Sequence, residues 1–328
     1  MVVSLYRQSV HLLVGLLLVL PVPVGSGDSI EARNTESVIT SIVPSVPSGV
    51  RIDIVGFDTF VRVRAKGHVV TVPGYQQEPY VRIDSNGDVS FNTSSITYQL
   101  NMNRYGDVSH VGNTEGPPTW KLTSRDGTAM WHDHRAHWMS PKPPVPIDKE
   151  GTVQTWKIDV VVNDVPTVVD GVLYLRDQAS MAWWFSGFFA LLLALILAIA
   201  KRKLFFIFMV VISLASALIG AGEYLGLPNG ARIAPLMMLF GIGSTVLASL
   251  AYMLYRRTET RHIAISLSAG AGTAMLICVW LSANQVRAAY VPGLEQMWLA
   301  RIMIPTLLGV GVVATIDGVT RIVRNRLD

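Results

Sequence analysis

The densest chemical signal in the chain is the run Met130-Trp131-His132-Asp133-His134-Arg135-Ala136-His137-Trp138-Met139. Three of the seven histidines fall within six positions, and a methionine stands on each side of them. On a strand, alternate residues share a face, so Met130, His132 and His134 would point together, with the two histidines about 7 Å apart. A bend or bulge narrows that gap to the reach of one ion. A turn at Arg135-Ala136 would bring His137 back as a third nitrogen. Imidazole suits copper, zinc and nickel, whereas a thioether favours Cu(I). The pattern therefore predicts a copper site with His132, His134 and His137 as ligands, joined by Met130 or Met139 in the reduced state. Asp133 is a candidate to orient a ring nitrogen, as carboxylates behind metal ligands do. His110, in a polar loop, is a candidate fourth nitrogen, and His68 is a weaker one.

A second reading of the same run needs no metal. Histidine, tryptophan and arginine stack and hydrogen-bond into rigid surfaces, and Trp131, Trp138, Trp183 and Trp184 fit an aromatic belt at a bilayer interface. An enzymatic role has the least support, since no nucleophile or activated-water constellation accompanies the histidines. Tyr75, Glu78 and Tyr80 form a polar aromatic patch suited to a partner or to packing over a sheet edge.

The elements that must position these residues divide into two regions. Of the 328 residues, 50% are hydrophobic and only 15% charged, against about 25% charged in soluble domains. The deficit is confined to residues 181–320, where apolar runs predict five spans: Ala182–Ala200, Leu204–Gly222, Ile233–Tyr255, Ile263–Leu281 and Met297–Val319. Each is long enough to cross a hydrocarbon core of about 30 Å, and at this apolar density each must be helical. Basic clusters at Lys201-Arg202-Lys203, at Arg256, Arg257 and Arg261, and at Arg321, Arg324 and Arg326 then fall on one side. The positive-inside rule places that side in the cytoplasm, with a basic tail at 321–328. The formal net charge of +4 is accounted for by these headgroup-facing clusters, which argues for a lipid partner and against nucleic acid.

Within the spans, Glu223, Arg232, Arg301 and Asp317 sit near helix ends and are expected to reach the interface by snorkelling. No histidine pair at helical spacing suggests b-type haem, and His262 reads as an interfacial residue. Gly241, Gly243, Ser244, Ala248, Ser249, Gly270 and Gly272 predict close helix contacts. The short connection Lys201-Arg202-Lys203 between the first two spans predicts a tight hairpin. The only cysteine, Cys278, lies in a span, so no disulfide within the chain supports the rest of the protein.

Residues 1–27 combine Arg7, an apolar stretch from Val10 to Leu20 and small residues near Gly25, which reads as a signal peptide or a retained signal anchor. Residues 28–49 are expected to be a linker. Residues 50–180 carry short alternating segments around Arg51–Val55, Thr59–Lys66, His68–Val72, Pro79–Asp84 and Asp88–Phe91, then Gly151–Val162 and Thr167–Leu175. Asn86-Gly87 and Asn163-Asp164 are turn signals between them. The expected fold is mixed: an external antiparallel β-sandwich domain followed by an α-helical transmembrane bundle.

Glu78-Pro79-Tyr80-Val81-Arg82-Ile83, Asn86-Gly87, the Trp-His-Asp-His-Arg-Ala-His-Trp stretch and the five spans together resemble a family of largely uncharacterised actinobacterial membrane proteins. The final hairpin, Trp156 to Leu175, is similar to copper-resistance external domains of the CopC type. That resemblance implies a small external sandwich binding copper through histidines and methionines, although Asp170-Gly171 is followed by Val172 where that family has histidine. The leading expectation is an external metal-binding domain tethered to a membrane bundle and engaged in copper handling. The alternative is a non-enzymatic accessory subunit bound to a membrane protein partner.

Overall fold

The computed structural model describes residues 30–102, 105, 116–140 and 142–327. The expected signal segment and His110 lie outside the described residues. Ten strands are described: β1 (Thr35–Val43), β2 (Arg51–Val55), β3 (Phe60–Arg64), β4 (Val70–Pro73), β5 (Pro79–Ile83), β6 (Val89–Asn92), β7 (Trp120–Ser124), β8 (Thr128–Trp131), β9 (Thr152–Val162) and β10 (Val165–Leu175). A short helix, α1 (Ile96–Leu100), follows β6. Seven strands make one sheet in the order β1-β10-β9-β4-β5-β6-β7, and β2-β3-β8 make a second. Neighbouring strands pair antiparallel throughout.

Alternation drives this arrangement. In β3, Val61 and Val63 are buried while Phe60, Arg62 and Arg64 turn outward, and in β9 Trp156, Ile158, Val160 and Val162 are buried. These side chains join Ile52, Ala129 and Trp131 from the small sheet and Val70, Ile83 and Val89 from the large one in a single core. Each fully buried aliphatic or aromatic side chain there contributes about 1.5–3 kcal/mol. At the tip of the β9–β10 hairpin, Asn163 and Asp164 both have positive φ, 46° and 65°, the signature of a type I′ turn.

One strand lies where a linker was expected. β1 pairs with β10 along the edge of the large sheet. Its inward positions begin with the polar Thr35 and Ser37, and its register shifts between Ile39 and Ser41. Polar inward residues and a bulge together erase the period of two that marks a strand.

The C-terminal region contains a 3-10 turn (Met181–Trp184) and helices α2 (Phe185–Ala200), α3 (Arg202–Gly226), α4 (Leu236–Tyr255), α5 (Arg261–Ser282), α6 (Asn284–Arg287) and α7 (Trp298–Leu327). Among the described residues, five segments are long and apolar enough to cross a membrane, Met181–Ala200, Arg202–Gly226, Leu236–Tyr255, Arg261–Ser282 and Trp298–Arg324. They pack in the lateral order α3-α4-α5-α7-α2. The tight hairpin expected between the first two spans is therefore corrected. Although Lys201 alone joins α2 to α3, the main partner of α2 is α7. The reason is a glycine contact: a Cβ on Gly309 would come within 2.3 Å of the Gly187 carbonyl, so the two backbones touch. Gly241 and Gly272 are likewise pressed against neighbouring helices, whereas Gly243 faces open space.

At one end of the bundle Asp317 of α7 pairs with Arg202 at the start of α3 and with Arg321. At the other end the bundle meets the β region. The backbones of Arg33 and Tyr290 exchange two hydrogen bonds of 3.3 and 3.0 Å. The Phe57 and Tyr290 rings stack with centroids 4.2 Å apart. Ile30 and Val55 bury with Leu227 and Ala231 in a small apolar cluster to which Phe60 and Met130 are added. The β region and the basic clusters thus occupy opposite ends of the helices.

Candidate metal centre

β8 ends at Trp131, and the chain enters an irregular segment and then a turn. His132 and His134 therefore do not share a strand face, contrary to the strand geometry expected from sequence. The turn gathers them instead. The Ala136 N–H donates to the Asp133 carbonyl at 3.0 Å, which folds the chain back so that His137 meets His132. One ring nitrogen from each of His132, His134 and His137 lies within 4.8 Å of the others. All three residues are buried, at 4%, 8% and 1% exposure respectively.

Hydrogen bonds fix the tautomers of two rings. The Nδ1 atom of His132 lies 2.7 Å from the carbonyl oxygen of Thr59, and that of His137 lies 2.8 Å from the carbonyl oxygen of Asp133. A carbonyl only accepts, so both Nδ1 atoms carry hydrogen and donate. Both Nε2 atoms then present lone pairs, and they face each other across 2.9 Å. Two lone pairs at that distance repel unless a positive charge lies between them, either a shared proton or a metal ion. A metal bound at 2.0–2.1 Å in a tetrahedron holds its nitrogens about 3.3 Å apart. The 2.9 Å contact is a few tenths of an ångström short of that value, and all three nitrogens fall within 4.8 Å of one another. Burial pushes the imidazole of His132 down to about 4, with the neighbouring His134 adding to the shift against the Thr59 hydrogen bond. The ring is therefore neutral at physiological pH, the form that can donate to a metal.

The turn is held by a buried ion pair. Asp133 is fully enclosed, and burial alone would raise its carboxyl. The Arg135 guanidinium outweighs burial and holds it below the usual carboxylate range. Arg135 donates from Nε at 2.8 Å and from its terminal nitrogen at 2.7 Å, and its backbone N–H donates at 3.0 Å. Trp131 Nε1 adds a fourth bond at 2.9 Å. Both carboxylate oxygens are thus committed. Asp133 does orient a ring nitrogen, that of His137, but through its main-chain carbonyl.

His134 is supported differently. Its backbone N–H donates to the Tyr75 hydroxyl at 2.8 Å, and the two rings stack with centroids 6.1 Å apart. The Tyr75 hydroxyl bonds Asn101, and Arg135 lies 5.0 Å over the Tyr75 ring. Tyr75 therefore belongs to the wall of the centre, whereas the sequence placed it only in a general aromatic patch. Glu78 of that patch instead accepts from Ser95 and Thr97 at 2.6 Å each, tying α1 to the sheet.

Met130 packs at the junction with the bundle, its methyl 3.4 Å from where a Cβ on Gly230 would stand. It lines, together with His132, a cavity of about 770 Å³ bounded by Arg62, Trp131 and Pro228. Met139 is 41% exposed. His68 is paired with Asn163 at 3.0 Å beside the β9–β10 turn, and His262 is exposed at the start of α5. The aromatic-belt expectation fails for Trp131, which is buried in the core of the β region, edge-on to Tyr80.

The fold and the site together define a multi-pass membrane protein with a two-sheet β region that carries a three-histidine cluster capable of binding a metal ion. Compared with known protein families, with curated proteins and with solved structures, the chain matches none.

Proposed function

We propose that the protein handles copper outside the cytoplasm, with the β region, packed as a sandwich, as the metal-binding part and the helical bundle as its seat in the membrane. The observation that carries this reading is the 2.9 Å approach of two Nε2 lone pairs whose rings are each oriented by a main-chain acceptor. Orientation of the distal ring nitrogen is the usual support behind a metal-bound imidazole. Clustered imidazoles suit copper among the borderline ions, and Met130, which shares a cavity wall with His132, adds a soft donor that favours Cu(I). Met139 is the second thioether candidate.

The placement outside the cytoplasm rests on charge. The basic clusters sit at the end of the bundle away from the β region, and the positive-inside rule puts such clusters in the cytoplasm. The resemblance to copper-resistance external domains points the same way. The test is a competition on the purified full-length protein, with copper and zinc offered at matched free-ion levels. Copper bound in preference, at one ion per chain, supports the reading. Zinc bound in preference keeps the ligands and overturns the copper assignment.

A further inference from the structure

Glu223 lies in α3, within a span, and is expected from sequence to reach out to the interface. The structure corrects that expectation, because the residue is only 5% exposed. Four elements close over it. Gly293, in the loop before α7, lies so near that a Cβ there would sit 2.0 Å from the Glu223 carbonyl oxygen, with φ at +74°. Gln285 of α6 extends its side chain to the carboxyl group. From α5 come Cys278 and Ser282, 1% and 5% exposed. From α4, Met237 packs against the same face of α3 one turn earlier, at Gly220.

The polar accounting at this place does not close. Glu223 Oε1 and Gln285 Oε1 are both buried, and neither has a hydrogen-bond donor among the described residues. Arg301 of α7 is turned to the carbonyls of Ala288 and Ala289 at 2.9 and 2.8 Å. The titratable group facing Glu223 is the Cys278 thiol, which brings no positive charge. Two buried oxygens that can only accept, one of them a carboxylate, require a positive partner, since an unpaired charge in such a place costs several kcal/mol.

We propose that Glu223 and Gln285 form a site for a small hard cation, H⁺ or Na⁺, inside the helical bundle. Oxygen donors select such ions, and they distinguish this site from the imidazole cluster, which suits borderline metals. An ionisable group inside a membrane bundle marks an ion or proton pathway by default. The bundle is then an ion-binding element in its own right, independent of whether the histidine cluster takes copper.

The probe is dicyclohexylcarbodiimide, which attacks protonated carboxyls in apolar surroundings, applied to the full-length protein in lipid and read by peptide mass spectrometry. At about pH 6 Glu223 is expected to be modified at least about tenfold faster than the exposed Glu259. Slowing of that reaction by added Na⁺ identifies sodium as an occupant, and indifference to Na⁺ identifies the proton alone. A Glu223→Gln variant, which imitates the protonated acid, is expected to keep the thermal midpoint of the native protein and to lose its dependence on pH or Na⁺. Modification of Glu223 no faster than that of Glu259, with the protein folded, overturns the proposal. So does a Glu223→Gln variant whose midpoint retains the full ion dependence.

Discussion

The Nε2 atoms of His132 and His137 face each other across 2.9 Å while the Nδ1 atoms of both rings donate to main-chain carbonyls. Neither ring can rotate without breaking a buried hydrogen bond. The contact therefore has only two satisfactory occupants, a proton or a metal, and the depressed basicity of His132 works against the proton.

That depression makes a prediction about pH. The neutral ring is favoured in the folded state, so the unfolded chain binds more protons between its own value near 6.5 and the folded value of about 4. Stability is fully present above about pH 6.5 and falls as pH drops toward 4, by about 3 kcal/mol for this group. Chemical unfolding with a chelator present, at several pH values, measures the slope. His132→Phe is expected to flatten it, and an unchanged slope in that variant would contradict the assignment.

Asp133→Ala removes the acceptor of four hydrogen bonds and leaves Arg135 buried without its partner. The expected loss is about 3–5 kcal/mol of stability and, in the fraction that remains folded, about 10–100-fold in metal affinity. Thermal unfolding beside isothermal titration separates the two effects. A variant with native stability and native affinity would show that the ion pair does not hold the turn.

Much of this arrangement was legible in the sequence, and the limits have physical causes. The five spans are readable because crossing a bilayer imposes length and apolarity on each. The His132, His134 and His137 set is readable from its spacing alone. Thr59 left no signal, because its contribution is a main-chain carbonyl 73 residues from the ring it orients. Tyr75 is hidden for a related reason, since its hydroxyl meets a backbone N–H 59 residues away. The strand expected through His134 stops at Trp131 because the Asp133-x-Arg135 pair closes a turn, a local hydrogen-bonded alternative that outcompetes the ladder. The α2–α7 partnership depends on which glycine faces which, and helical period alone does not reveal that.

Packing between α2 and α7 gives a test of the bundle. Gly309→Leu drives a side chain into the Gly187 backbone and is expected to cost about 1–3 kcal/mol or more. Gly243→Ala, which meets open space, is expected to be near neutral. Thermal stability in one detergent compares them. Equal effects would remove the Gly187–Gly309 contact from the account.

Orientation is open to labelling. In a Cys278→Ser background, cysteines placed at the exposed Asn86 and at the exposed Arg257 should behave oppositely toward a membrane-impermeant maleimide on intact cells. The first is expected to react and the second to react only after permeabilisation. Reaction of the Arg257 position in intact cells would invert the topology and place the histidine cluster in the cytoplasm.

Whether the histidine cluster is a copper site is decided by titrating copper into the full-length protein beside a His132→Ala/His134→Ala variant and a His68→Ala control, with circular dichroism confirming that each is folded. The native protein and the control are expected to bind one copper ion tightly, with the site lost in the double variant and weakened as pH falls toward about 4, where the buried His132 takes up a proton. Equal copper binding by the folded native and double-variant proteins would contradict it.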